Sequence, residues 1–200
     1  MAIGFCAMAS CLLSILSAAG LAEPVSSLNR GPGSGHLRMS GPPTQGPAAD
    51  LAMAVEQLRH AQGTWSVTTE FLNEDGSVAK VVQGTYRFTW VIPDRVAAGQ
   101  SEIPELEQIS GILFYVNEKK VSIEMVSVGR DGNLWTMTGA AGDEVRLSQP
   151  FRAADGKESQ LRFTRYNVSP GRFESRMEYT SDGGKTWLPG NHQVFVRAPA

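Results

Sequence analysis

The chain has 200 residues, with 18 Lys and Arg against 20 Asp and Glu for a net charge of −2, and 42% hydrophobic residues. That is room for one ordinary domain with a genuine core, and the balanced charge argues against a dedicated nucleic-acid binder, which carries a basic excess on one face. The charges are unevenly placed: none precedes Glu23, and both cysteines, Cys6 and Cys11, lie in that uncharged stretch.

Residues 1–22 (MAIGFCAMASCLLSILSAAGLA) combine an apolar run around Cys11–Leu16 with small residues ending at Ala22. This layout predicts a secretory signal cleaved before Glu23; an uncleaved membrane anchor is the alternative, since no Lys or Arg marks the n-region. Cleavage removes both cysteines, so the mature chain has no disulfide and no thiolate chemistry. The expected location is the bacterial periplasm or the medium, with membrane contact only through this segment if it is kept. Residues 23–49 are dense in Gly, Pro and Ser without an apolar period, and read as a flexible linker.

Asp50 opens a helical pattern, with itself as N-cap candidate and Leu51, Met53, Ala54, Val55 and Leu58 on one stripe before Gly63 ends it. Beyond Gly63 the period becomes two. Tyr86, Phe88, Trp90 and Ile92 share one face, and Phe173, Ser175, Met177 and Tyr179 alternate with Arg172, Glu174, Arg176 and Glu178. Asp-Gly turns at 75–76, 131–132, 155–156 and 182–183 separate such runs. The resulting strands are 63–72, 78–91, 95–102, 109–116, 120–128, 134–139, 144–151, 160–168, 172–180 and 186–197. Short connections and the need to hide sheet edges predict a mainly β fold over 50–198, an antiparallel up-and-down barrel of about ten strands with a short capping helix. A two-sheet sandwich is the alternative.

The run TSDGGKTW places Thr180, Asp182, Gly184, Thr186 and Trp187 in an Asp-box pattern. Such boxes are familiar from sialidase-like propellers, but a propeller needs several at a regular period and only one is complete here. It predicts a self-bonded hairpin. More widely, GTW at 63–65, FLNEDGSV, GTYRFTWV, SGILFYVN, DGNLWTMTG, LRFTRYNV and the closing DGGKTW…PGNHQVFVR resemble the DUF1579-like group of bacterial proteins of unknown function. The resemblance implies a lipocalin-like (calycin) barrel with an internal cavity, and carries no catalytic residues.

Only His60 and His192 lie in the folded part, so a metal site has no material. No cofactor is expected. Haem through His192 is the one alternative, because the related nitrobindin-type barrels use a His near the C-terminus, but the rest of that pattern is absent. No nucleophile elbow or phosphate loop is present. Candidate cavity walls are Trp65, Tyr86, Phe88, Trp90, Phe114, Met125, Trp135, Met137, Phe163, Phe173 and Met177, with Arg165 breaking an apolar face; the alternative is that these side chains simply fill the core, and His192 reads first as a hydrogen-bonded structural residue and otherwise as lining the mouth. The sequence thus points to an exported, non-enzymatic barrel for a small apolar ligand. The alternatives are a hydrolase or isomerase using His192 or Arg165, and a periplasmic partner-binding module.

Overall fold

The computed structural model describes residues 46–153 and 155–199; the signal-like segment and most of the linker fall outside the described residues. Helix α1 (Pro47–Ala61) is followed by β1 (Gly63–Leu72), β2 (Val78–Ile92), β3 (Val96–Ile103), a 3-10 turn (Pro104–Leu106), β4 (Gln108–Asn117), β5 (Ser122–Gly129) and β6 (Leu134–Ala140). Then come β7 (Val145–Ser148), β8 (Phe151–Arg152), β9 (Glu158–Ser169), β10 (Arg172–Thr180) and β11 (Leu188–Arg197). Sequential strands pair antiparallel, β11 pairs with β1, and β9 pairs with both β7 and β10. Ten strands therefore close into a barrel, and β8 is a two-residue addition outside the ring.

Most boundaries fall within two residues of the sequence pattern, and two differences go further. The helix begins at Pro47 with Gly46 as its N-cap, so Asp50 sits in the first turn, where its charge still suits the helix dipole. The expected 144–151 strand is split, since Pro150 can donate nothing to a ladder; β7 stops at Ser148 and β8 starts at Phe151. The Asp-Gly hairpins share one construction: Asp75, Asp131 and Asp155 each accept from the amide two residues on, at 2.9, 3.1 and 3.0 Å. The following Gly76, Gly132 and Gly156 adopt φ of 81°, 78° and 82°, the left-handed conformation that glycine takes without strain.

Alternation places Trp65, Val67, Tyr86, Phe88, Ile112, Met125, Leu161, Phe173, Met177 and Phe195 inside the barrel. One end is shut by Phe71, Val82 and Ile103 with Leu106 of the 3-10 turn. The other is covered by α1, whose Ala54 and Leu58 pack on Val116, Ile123 and Ala141. The C-terminal carbonyls of α1 are all spoken for. Trp65 Nε1 donates to Ala61 O at 2.8 Å, and Arg197 donates to Gln62 O at 2.6 Å and His60 O at 2.9 Å. At the opposite end the Asp-box forms as a closed loop between β10 and β11. Asp182 accepts from Thr186 N at 3.0 Å and from Thr180 Oγ1 at 2.7 Å, Gly184 N donates to Thr180 Oγ1 at 3.1 Å, and Arg162 lies over Trp187 at 4.2 Å.

Candidate functional site

Beneath the last two turns of α1 lies a cavity of about 70 Å³. Leu58 and Ala61 form its roof, with Gln57 beside them. Its walls carry six aromatic rings: Tyr86 and Phe88 from β2, Phe114 from β4, Phe163 from β9, Phe173 from β10 and Phe195 from β11. The rings are locked by one another. Phe173 stacks on Phe195 at 4.2 Å, Tyr86 meets Phe195 edge-on at 5.3 Å, and Phe88 meets Phe114 at 5.7 Å. Room for Phe88 comes from Gly99 on the neighbouring strand, where a Cβ would stand 2.2 Å from the ring.

Two guanidinium groups reach this apolar space. Arg165, 9% exposed, holds Glu144 with two parallel bonds, Nε to Oε2 at 2.7 Å and Nη2 to Oε1 at 2.8 Å. Its charge is matched. Arg146 is 6% exposed and donates from Nη2 to Gln57 Oε1 at 2.9 Å. Gln57 is oriented by its own Nε2, which donates to Asp143 O at 3.0 Å. The Nε of Arg146 is buried with no partner, and among the described residues no carboxylate lies within ion-pairing distance of Arg146. Burial, with repulsion from Arg165 second, pushes its pKa down to about 10, which still leaves a cation at neutral pH.

His60 sits beside Arg165 and Phe173, two of the residues that line the cavity. Its Nε2 donates to Ser169 O at 2.6 Å, which leaves Nδ1 as an acceptor facing Arg165 Nη1 at 3.5 Å. The ring packs on Trp65 at 5.5 Å and Phe173 at 5.7 Å. Burial is the main cause that holds its pKa below the usual 6.5, so the neutral ring is favoured.

Of the residues the sequence singled out, Tyr86, Phe88, Phe114, Phe163, Arg165 and Phe173 meet at this cavity. Trp65, Met125, Met137 and Met177 are buried in the surrounding core. Trp90 packs with the cluster under α1, and Trp135 lies edge-on to Phe151 at 5.0 Å. His192 is elsewhere. Strand β11 turns Asn191, Gln193 and Phe195 inward, so His192 stands on the outer wall, 3.0 Å from both Glu70 and Glu174 and stacked on Tyr166. The expectation that it lines the mouth is corrected by this parity. Sequence reasoning did not single out Gln57, Leu58, Ala61, Ile112, Arg146 or Phe195 for the cavity. Ile112 and Phe195 share parity with interior residues and could have been found; Arg146 could not, because β7 runs against the usual alternation. Among the described residues no group of three or more His, Cys, Asp or Glu is placed to hold a metal ion.

No family model matches the chain. No curated protein matches it either. Among solved structures it is similar to a protein named EF1p2_mFAP2b bound to DFHBI, at 17% identity over 73% of this chain and 98% of that one, with a TM-score of 0.35. It is similar to the S-type phycobiliprotein lyase CPES from Guillardia theta at 12% identity, over 78% and 99% of the two chains, with a TM-score of 0.39. A protein of unknown function from the DUF3598 family of Nostoc punctiforme overlaps at 6% identity, over 72% and 99%, with a TM-score of 0.25. With overlaps this loose, the architecture stands on the strand order itself.

Proposed function

We propose that this chain is a binding protein whose barrel takes a small, largely apolar ligand in the cavity beneath α1. The observation that carries it is a pocket of about 70 Å³, partly open to solvent and faced by six aromatic rings. Interiors close-pack, and a gap forfeits dispersion contacts on every side unless something occupies it. An apolar void of about 150 Å³ takes benzene. The present volume suits a smaller group, so a single ring would need the roof formed by α1 to give way. The signal-like segment and the DUF1579-like resemblance support binding outside the cytoplasm. Of the two residues named for the enzyme alternative, Arg165 lines this cavity and His192 stands on the outer wall.

Amide chemical shifts recorded during titration with benzyl alcohol test this. Saturable changes centred on Phe88, Phe114 and Phe163 are expected, and Ala61→Leu, which fills the roof, should abolish them. No saturable change at tens of millimolar, or changes that survive Ala61→Leu, would overturn the reading.

A further inference from the structure

Arg146 is an expensive residue to place where it stands. A buried guanidinium loses its hydration and regains stability only with a counter-charge and full hydrogen bonding. Here the one neighbouring bidentate carboxylate, Glu144, is already taken by Arg165. Gln57 supplies a neutral acceptor to Nη2, while Nε remains buried without a partner. The cation is not there for want of an apolar choice, since Val145 and Leu147 flank it on the same strand.

We infer that the ligand carries a carboxylate, paired with Arg146 while its apolar body lies against the aromatic walls. This rests on the binding reading above and deepens it. A planar carboxylate matches the guanidinium fork and brings a negative charge directly to a buried cation that makes no ion pair among the described residues. Water in the cavity would offer an acceptor but no charge. A phosphate group would bring more charge and more acceptor oxygens than a single guanidinium and an amide can satisfy. Gln57, fixed to Asp143 O by its other end, acts as a positioning residue that ties the anion site to α1.

The test compares benzoate with benzyl alcohol, nearly equal in shape and different in charge, by titration of the full chain at neutral pH. Benzoate should bind at least tenfold more tightly. Arg146→Met should bring the ratio of benzoate to benzyl alcohol affinity close to one, whatever its effect on benzyl alcohol itself, and Arg146→Lys should keep part of the preference as a point charge. Equal affinity in the unaltered chain, or a preference that survives Arg146→Met, overturns the carboxylate inference and leaves the cavity reading standing. Binding of neither ligand overturns both.

Discussion

The Arg197 guanidinium lies 4.2 Å from the Trp65 ring centre and, from that position, grips the carbonyls of Gln62, His60 and Pro170. Strand β11 thus holds the end of α1. A planar fork can meet three carbonyls and stack on an indole at once, and an ammonium cannot. Arg197→Lys is therefore expected to cost about 1–2 kcal/mol, read as a lower urea midpoint with an unchanged slope. An unaltered midpoint would show that the clasp contributes nothing.

His60 makes the fold sensitive to mild acid. Its pKa is lowered in the folded state, chiefly by burial, so the unfolded chain binds the proton more readily. Stability is full above the ordinary value of 6.5 and falls as pH drops through that value towards the folded one. Thermal unfolding between pH 7.5 and 5 (a window of about two units around the unperturbed imidazole) should show this loss. His60→Gln, which keeps a donor for Ser169 O, should flatten the slope. A slope equal in both proteins would assign the effect elsewhere.

Gly99 sets the place of one cavity wall. A methyl group there would stand 2.2 Å from the Phe88 ring and 2.6 Å from Arg87 O, one neighbour being backbone. Gly99→Ala should destabilise by about 2 kcal/mol or more through overpacking. Phe88 would have to turn into the cavity, so benzyl alcohol binding should weaken together with stability. Retained affinity in a folded Gly99→Ala protein would contradict the placement of Phe88.

The Asp-box loop responds to stronger acid. Hydrogen bonds from Thr186 N and Thr180 hold the Asp182 carboxyl down at about 2, against an ordinary 3.8. A depressed carboxylate contributes stability above its unfolded value and loses it as pH falls, here between 3.8 and about 2. Asp182→Asn should remove that part of the acid transition and speed amide exchange at Thr186. Identical acid profiles would show that the loop is uncoupled from the fold.

Most of the barrel was readable from its amino acids. Strand β10 writes Phe173, Ser175, Met177 and Tyr179 inward and charges outward without exception, so its parity could be taken directly. Strand β11 was harder because Val194 and Val196 face out while Gln193 faces in; only the Phe173 to Phe195 stack settles which side is interior. The same parity puts His192 on the outer wall. The aromatic half of the cavity was legible from alternation. Its charged half was not: Gln57 sits on the buried helix face beside Leu58, and Arg146 occupies a position that burial alone would give to Val145 or Leu147.

Strand β7 has a consequence of its own. It is four residues long, pairs with β6 through only Ser148 and Leu147, and leaves Leu147 36% exposed while Arg146 is enclosed. A slip of one residue would send Val145 and Leu147 inside and Arg146 out, giving the better apolar pattern. Hydrophobic pattern alone would therefore favour the slipped pairing over the native one. The native register is admitted by Gly139, where any Cβ would strike Val145 O at 2.1 Å. An anion that pairs with Arg146 weights the native side by mass action. Such a ligand would act as a folding aid as well as a cargo, and the barrel would close most completely where that cargo is abundant.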